Sequence, residues 1–362
     1  MKNSLGTSVI LTLFGESHGS EIGAVLDGLA PGIPVDEGFI ATQLAHRRPQ
    51  GRTDTARREP DAFRIVSGVF NGRTTGAPLC ILIPNTDTRS GDYEKNLGLP
   101  RPSHADYAAH VKYHGYEDWR GGGHFSGRIT AALVAVGAIA LAALRDKGIR
   151  IGTHILRCGA VADAEFADFE CEIEALGARD FPVITPVEDA MTAEILAARE
   201  QCDSIGGVIQ TAIAGLEAGI GEPWFSSLEG VLANALFSIG GIKGVEFGSG
   251  FGLAAMRGSQ ANDAFCLEDR EIRTRTNHNG GINGGISNGM PVVFNCAVKP
   301  TPSIARPQQT VNLLTGQEAT LELVGRHDPA IIRRICPVVT ALTAIVVCDQ
   351  LALRHGTDYL RP

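Results

Sequence analysis

The chain has 362 residues, of which 44% are hydrophobic and 20% are charged, and its formal net charge is −8. These values are typical of a soluble protein with a sizeable core, and they argue against a protein that coats nucleic acid. The longest apolar run, residues 131–144, is shorter than the roughly 17–25 residues that span a bilayer, so we predict a buried helix and no membrane partner. The eight cysteines show neither a CxxC pair nor a Cys/His metal spacing, and the N-terminus lacks a signal-peptide pattern. Both features favour a cytoplasmic protein without a bound metal.

The N-terminal half of the chain contains two predicted helices. The first runs from Asp36 to about Arg47. The second runs from Ser126, a candidate N-cap, to Lys147, and Gly148 ends it. Because this second helix is apolar nearly all round, we expect it in the centre of the fold. Two strands are predicted between the helices, over residues 63–66 and 79–83.

The C-terminal half adds two more helices and two strands. Residues 228–239 follow the i, i+3, i+4, i+7 rule of an amphipathic helix, and the last helix is predicted from about Pro337 to Gly356. Strands are predicted over residues 291–299 and 319–324. Strands and helices do not alternate strictly, and this favours an α+β fold in which helical layers are covered by sheets. We expect one large layered domain over residues 1–362.

The segment GESHG (residues 15–19) places three polar residues between two glycines, directly after a strand-like run. Ser17 and His18 are adjacent, so they cannot form a nucleophile–base pair as simply as residues that the fold brings together. His18 is therefore a candidate acid or phosphate contact. The structural alternative is a turn or helix cap in which Ser17 or His18 satisfies backbone groups.

Arginines crowd into residues 46–64 of this acidic chain. Guanidinium groups bind carboxylates and phosphates through two parallel hydrogen bonds, so the cluster predicts an anion clamp; the alternative is a solvated basic face. RNA binding is a third interpretation, which the net charge and the lack of interleaved aromatic residues disfavour. We call residues 46–58 the arginine loop. The arginines of the whole cluster are Arg47, Arg48, Arg52, Arg57, Arg58 and Arg64.

Two further polar segments carry candidate ligand-binding residues. RPSHADY (101–107) precedes the triple glycine 121–123, whose backbone N–H groups can approach an anion before a helix N-terminus; His104 and Arg128 accompany it. Near the C-terminus, Lys299 with Thr301 and Ser303 could hold a phosphate. For His104 the structural alternative is a satisfied loop histidine, and for Asp328 in GRHDP it is a turn or helix cap.

Taken in order, these segments resemble the chorismate synthase family. The likeness covers about residues 6–355, which is essentially the whole chain. The matching stretches are GESHG, LDGLAPGIP, RREPD, GVFNGRTTGAP, NTDTRSGDY, RPSHADY, DSIGG, GIGEP, KGVEFG, RGSQ, NGGISNG, KPTPSI and GRHDP.

The resemblance implies a lyase of the shikimate pathway. Such an enzyme converts 5-enolpyruvylshikimate 3-phosphate to chorismate, with loss of phosphate and one ring proton in a 1,4-anti elimination. The cofactor implied is reduced FMN, which some family members regenerate with NADPH. The family also implies mostly antiparallel sheets around central helices, and a homotetramer.

The resemblance also assigns roles to individual residues. His18 protonates the leaving phosphate, His104 is a second acid near the flavin, and Asp328 helps to take a proton from the flavin. The implied substrate contacts are Arg47, Arg48, Arg52, Arg101 and Arg128. The implied flavin contacts are His124, Phe125, Ser126, Gly240, Gly241, Gly284, Lys299, Pro300, Thr301, Pro302, Ser303 and Arg326.

The chain departs from the family pattern in two flavin segments. GGGHFSGRIT (121–130) stands where relatives commonly have GGGRSSARET, so His124, Phe125 and Ile129 replace an arginine, a serine and a glutamate. Gly240-Gly241 replaces an Asn-Ala pair, and the arginine loop is about one residue shorter. These departures leave open a catalytically silent or repurposed paralogue that binds flavin or an anion. The presence of all three predicted catalytic residues favours an active enzyme.

Overall fold

The structure is a computed structural model that describes residues 2–54, 59–86, 96–323 and 328–362. In these ranges the helices, which we number in chain order, are α1 (Glu37–Arg47), α2 (Asp106–Tyr113), α3 (Thr130–Asp146), α4 (Phe169–Leu176), α5 (Glu188–Glu200), α6 (Leu228–Leu236), α7 (Gly258–Ala261) and α8 (Ile332–His355).

The same ranges contain the strands β1 (Ser4–Leu5), β2 (Ile10–Gly15), β3 (Glu21–Asp27), β4 (Arg64–Ser67), β5 (Val69–Phe70), β6 (Arg73–Thr74), β7 (Leu79–Pro84), β8 (Arg150–Cys158), β9 (Val161–Ala162), β10 (Gly207–Ala214), β11 (Ile242–Phe247), β12 (Phe265–Glu268), β13 (Glu271–Thr274), β14 (Ile282–Asn283), β15 (Ile286–Ser287), β16 (Val292–Val298), β17 (Gln308–Asn312) and β18 (Gln317–Leu321).

Two five-stranded antiparallel sheets enclose the core helices. The first sheet has the order β1-β2-β3-β7-β4 and the second β11-β16-β10-β8-β9. Helix α3 packs on β3 and β7, whereas α8 packs on β8 and β10. The α+β prediction, with central helices between antiparallel sheets, is confirmed. One hydrophobic cluster draws residues from both sheets and from the helices between them, and the one-domain organisation stays a prediction.

The two central helices, α3 and α8, run side by side in the same direction. Gly137 of α3 faces Ala341 of α8 so closely that a Cβ on the glycine would lie 2.5 Å from the alanine Cβ. Further along, the Cys348 thiol approaches the Ala140 carbonyl. Because both contacts advance together along the chain, the N-termini of α3 and α8 lie at the same end of the core.

Helix α8 begins earlier than the sequence predicts. The prediction placed its start near Pro337, but the helix starts at Ile332 and Pro337 lies inside it. A proline near a helix start removes only one intrahelical hydrogen bond, and the burial of this segment outweighs that loss.

Helices Gly127–Asp146 and Ile332–His355 have the length and hydropathy of membrane spans, yet 83% and 89% of their most apolar windows are buried inside the fold.

Helix α3 begins later than predicted, at Thr130, because two short 3-10 turns precede it. Ser126 caps the second of these turns, where its side chain accepts from the Arg128 amide. The other predicted elements appear with shifts of a few residues at their ends. The strand predicted over 319–324 is β18, and the end of its predicted range lies outside the described residues.

Candidate active site

The triple glycine Gly121–Gly123 lies between the two histidines predicted as acids. All three glycines have positive φ (60°, 83° and 52°), a region that other residues rarely adopt. A Cβ on Gly121 would lie 2.7 Å from Cε1 of His18, and a Cβ on Gly122 would lie 3.3 Å from Cε1 of His104. The Ser17 amide also donates to the Gly123 carbonyl at 3.0 Å. Three residues without side chains thus bring two distant loops together.

Asp106 orients His104. The His104 Nδ1 lies 2.6 Å from Oδ1 of Asp106, and Arg101 donates to the same carboxylate through Nε and Nη2, at 2.8 Å each. Burial raises the pKa of Asp106, but the hydrogen bonds from Arg101 and His104 outweigh burial and hold that pKa well below its usual range. The ionised carboxylate accepts the Nδ1 proton, so Nε2 is the nitrogen that His104 can offer to a ligand.

The segment 299–303 connects the His104 loop to Asp328. Arg101 donates through Nη1 to the Ser303 hydroxyl at 3.2 Å, and the Thr301 hydroxyl donates to the Asp328 carbonyl at 2.7 Å. The Asp328 carboxylate pairs with Arg334 Nη1 at 2.6 Å. All three predicted catalytic residues are therefore joined through short chains of contacts.

Lys299 brings a second cation to this segment. Its ammonium donates to the Ser103 carbonyl, and its backbone amide donates to the Gly241 carbonyl at 2.9 Å. Burial lowers the pKa of Lys299, and the nearby Lys243 ammonium lowers it further. Two cations that repel each other in a partly buried place favour an anionic ligand.

Arg47 and Arg128 are buried against one carboxylate. Arg47 donates to Oδ2 of Asp61 at 3.1 Å, and Arg128 donates to Oδ1. Burial lowers the pKa of Arg47 to about 10, although Asp61 opposes this. Arg128 also pairs with Glu59 at 2.9 Å. Both guanidinium groups fasten the arginine loop and its flank to the start of α3, and their assignment as substrate contacts stays a prediction.

A closed circuit of contacts connects these groups. Arg334 donates through Nε to the Arg47 carbonyl at 3.0 Å, which joins Asp328 to the Arg47–Asp61–Arg128 cluster. Arg128 donates to Asn85 Oδ1 at 2.9 Å, and Asn85 Nδ2 donates to the carbonyls of Glu16 and Gly19. The circuit thereby returns to the GESHG segment that carries His18. We call this set of residues the catalytic ring.

The remaining predicted substrate arginines lie on or near the arginine loop. Arg48 is half-buried and donates to the Pro60 carbonyl at 3.1 Å, and Arg52 is exposed. Arg57 and Arg58, and the predicted flavin contact Arg326, lie outside the described residues. Their roles stay predictions.

The segment that departs from the family pattern follows the triple glycine. His124 Nδ1 donates to the Gly15 carbonyl at 2.9 Å, which ties this segment to the end of β2. The Phe125 ring is 44% exposed and packs edge-on against Tyr113. The half-exposed Phe125 side chain follows the triple glycine of the catalytic ring, and its aromatic face is available for contact with a flat ligand.

The predicted flavin glycines lie in two different places. Gly241 lies beside Lys299, whereas Gly284 lies in the β14–β15 hairpin, whose Ser287 hydroxyl donates to the Glu217 carbonyl. Glu217 pairs with His355, the last residue of α8. Asp328 lies before the first residue of this 24-residue helix, which is about 36 Å long at 1.5 Å per residue. Gly284 lies near the start of α6, where the Leu228 amide donates to the Gly285 carbonyl at 2.8 Å, whereas Gly241 follows the end of that helix.

Sequence reasoning missed several residues that hold the site together. Asp61, Asp106 and Asn85 each lie inside a segment that was quoted for other residues, but no local pattern shows which cation each one faces. In the sequence, Arg333 and Arg334 have no feature that distinguishes them from other charged residues before the predicted last helix. Their pairing with the arginine loop and Asp328 depends on the fold, which brings residues almost 300 positions apart into contact.

The donor set near Lys299 fits a phosphorylated flavin. Lys243 and Lys299 supply paired cations, Thr301 and Ser303 supply hydroxyls, and Phe125 supplies an aromatic face. A Cβ on Gly240 would meet no atom within 4 Å, so the backbone there is open to a ligand. No group of His, Cys, Asp and Glu side chains within the described ranges is arranged to hold a metal ion.

Comparisons with known proteins agree on one family. A family model described as chorismate synthase matches residues 9–352. The chain is 47% identical to a chorismate synthase of Methanocella arvoryzae over 353 residues, which cover 96% of this chain and 94% of that relative. It is 44% identical to the Thermococcus kodakarensis chorismate synthase over 356 residues, 98% of each chain. A crystal structure of chorismate synthase matches with a TM-score of 0.75 and 27% identity, over 98% of this chain and 94% of that one.

Proposed function

The chain belongs to the chorismate synthase family, and we propose that its catalytic ring divides the reaction among His18, His104 and Asp328. The protein is a carbon–oxygen lyase that forms chorismate and phosphate from 5-enolpyruvylshikimate 3-phosphate. One observation carries the proposal: the triple glycine brings His18 and His104 together, and contacts continue from there to Asp328.

His18 protonates the departing phosphate. The reaction expels an anion, and a positioned acid that supplies a proton lowers the barrier, typically by a factor of about 10²–10⁴. His18 lies against Gly121, where the backbone leaves room for nothing larger than hydrogen. Steric contact with the Gly121 backbone therefore limits the movement of the His18 imidazole.

His104 is the second acid. The Asp106 carboxylate fixes the Nδ1 proton, and Nε2 faces the Gly122 side of the site. This arrangement leaves Nε2 as the nitrogen of His104 that can contact a ligand.

Asp328 would help to take a proton from the flavin when the cofactor is bound, as the family resemblance implies. Its carboxylate is oriented by Arg334, and its backbone is fixed by the Thr301 hydroxyl. The two contacts hold Asp328 next to segment 299–303, which Arg101 contacts as well.

The cofactor proposed for this site is reduced FMN, with NADPH as its reductant. Lys299, Thr301, Ser303, Gly240, Gly241 and His124 would hold it. When bound, reduced FMN supplies an electron-rich ring for the cleavage of the carbon–oxygen bond, chemistry that protein side chains lack.

The proposed assembly is a cytoplasmic homotetramer. The homotetramer is proposed from the family to which the chain belongs.

Turnover of 5-enolpyruvylshikimate 3-phosphate with chemically reduced FMN tests the assignment of roles. Formation of chorismate is expected in the native protein and is expected to fall in His18, His104 and Asp328 variants. Unchanged turnover in all three variants would reject the proposed division of roles.

A further inference from the structure

Each loop arginine that is predicted to contact substrate is held at its backbone by a guanidinium group from another element. Arg333 of α8 donates through Nη2 to the Arg48 carbonyl at 2.7 Å, and Arg334 donates through Nε to the Arg47 carbonyl at 3.0 Å. Hydrogen bonds with a charged donor are roughly twice as strong as those between neutral groups. Helix α8 therefore fixes the backbone at the start of the arginine loop.

The third contact of this kind comes from α5. Arg199 donates through Nη1 to the Arg52 carbonyl at 2.7 Å. Helix α5 packs on β8 and β9, with Met191 and Ile195 buried. Arg199 lies one helical turn after Ile195, so it extends from an anchored part of the second sheet layer.

The Arg52 side chain itself is available to a ligand. It is exposed, and its guanidinium makes no hydrogen bond or ion pair with the described residues. Arg47, in contrast, is buried against Asp61, and Arg48 is half-buried and donates to the Pro60 carbonyl. Of the three predicted substrate arginines on the loop, Arg52 thus combines a fixed backbone with free donors.

Arg199 also brings positive charge to the backbone of Arg52. Its acceptor is a neutral carbonyl, and no carboxylate among the described residues forms an ion pair with it. The charge behind the loop therefore favours an anionic ligand in front of it. The structural alternative is that Arg199, in the last turn of α5, serves to complement the helix dipole.

We propose that Arg199 is a positioning residue for substrate binding. It holds the Arg52 backbone in the place from which the Arg52 guanidinium reaches an anionic group of the substrate. A loop that is ordered before binding loses less conformational entropy when the ligand arrives, so the affinity is higher. Arg199 contacts no reacting atom, so it acts on KM and leaves kcat unchanged. The inference rests on the proposed role of Arg52 as a substrate contact.

Steady-state chorismate formation with chemically reduced FMN tests this role. Arg199→Ala is expected to raise the KM for substrate by about fivefold, with kcat within about twofold of the native value. Arg199→Lys keeps a charged donor, so its KM is expected to stay within about twofold of native. The matched control is Arg150→Ala, which removes an exposed arginine that pairs with Glu174 and is expected to retain the native KM.

A double-mutant cycle shows whether Arg199 acts through Arg52. Adding Arg199→Ala to Arg52→Ala is expected to raise KM no further, because the guanidinium that Arg199 positions is already absent. Added to Arg48→Ala, the same change is expected to raise KM by about fivefold again, because α8 holds the Arg48 backbone independently. A native KM in Arg199→Ala, a further rise in the Arg52→Ala background or an equal rise in Arg150→Ala would each overturn the inference.

The same variants separate this inference from the proposed function. A native KM in Arg52→Ala would reject Arg52 as a substrate contact, and the inference would fail with it. A raised KM in Arg52→Ala beside a native KM in Arg199→Ala would overturn the inference alone. A lower thermal midpoint of Arg199→Ala at native KM would assign Arg199 to the stability of α5 and would likewise overturn its role in substrate binding.

Discussion

Arg334 Nη1 lies 2.6 Å from Oδ2 of Asp328, and the same guanidinium donates through Nε to the Arg47 carbonyl at 3.0 Å. Arg334 thus joins the proposed base to the arginine loop. It contacts no reacting atom in this arrangement, so it is a positioning residue for Asp328.

Replacement of Arg334 tests this positioning role. Arg334→Ala is expected to lower kcat by about 10–100-fold with a smaller effect on KM, because Asp328 loses the partner that orients it. Arg334→Lys is expected to restore part of kcat, since a lysine supplies the charge without the planar fork. If Arg334 only stabilised the fold, Arg334→Ala and Arg334→Lys proteins of equal thermal stability would have equal kcat values.

Gly121 should tolerate no side chain. Gly121→Ala puts a Cβ 2.7 Å from His18 Cε1 at a φ of 60°, so the imidazole must move or the backbone must strain. The expected result is a loss of kcat of about 10²–10⁴, comparable to the loss of the acid itself. Steady-state chorismate formation with chemically reduced FMN measures it.

The matched control for this change is Gly127→Ala, a few residues along the same segment. A Cβ there would meet no atom within 4 Å, so near-native turnover is expected. If both alanine variants lose activity to the same extent, the close approach of Gly121 to His18 is not the cause.

The pKa of Asp106 implies a pH-dependent contribution to stability. Burial opposes ionisation, but hydrogen bonds from Arg101 and His104 hold the pKa of Asp106 below its unfolded value of about 3.9. A carboxyl with a depressed pKa stabilises the fold above the unfolded pKa and loses that contribution as the pH falls through the folded pKa. Asp106→Asn should therefore lower the thermal midpoint at pH 7, and the difference from the native protein should shrink below about pH 4.

Thermal unfolding monitored by circular dichroism between pH 3 and pH 8 checks this prediction. The control is Asp358→Asn, near the C-terminus and outside the catalytic ring. A stability deficit of Asp106→Asn that stays constant over the whole pH range would show that the charge of Asp106 contributes nothing.

His124 stands where family members commonly have an arginine. An arginine carries a permanent charge and five donors, so His124→Arg is expected to tighten FMN binding several-fold if this segment contacts the flavin phosphate. The substitution also removes the 2.9 Å bond to the Gly15 carbonyl, and His124→Gln serves as the uncharged control. Fluorescence titration of FMN measures the affinities. Equal FMN affinities for His124→Arg and His124→Gln would show that residue 124 does not contact the cofactor.

The sequence allowed the chemistry-bearing loops to be predicted, but not their connections. The short motifs around His18, His104 and Asp328 are local, and so is the apolar pattern of the central helices. The catalytic ring closes through Asp61, Asp106 and Arg334, whose partners are set by tertiary packing. The predicted start of α8 was wrong because the burial of the segment before Pro337 outweighs the tendency of a proline to interrupt a helix.

The same limit explains the expectation for the arginine cluster. Its arginines predicted an anion clamp, which stays a prediction; the sequence did not show that Arg47 would be buried against Asp61 together with Arg128 of a later segment. Spacing along the chain shows how many arginines lie near one another. It does not show which of them the fold will pair with a carboxylate, and only an arginine that keeps free donors can bind a ligand.

The central claim is that His18, held by Gly121 in the catalytic ring, protonates the departing phosphate. The most direct measurement compares His18→Ala with His110→Ala, a histidine outside the ring that pairs with Glu117. We predict that His18→Ala lowers the rate of phosphate release by about 10²–10⁴ while the Kd for FMN is unchanged, and that His110→Ala releases phosphate at the native rate. Phosphate release at the native rate by His18→Ala would contradict the account.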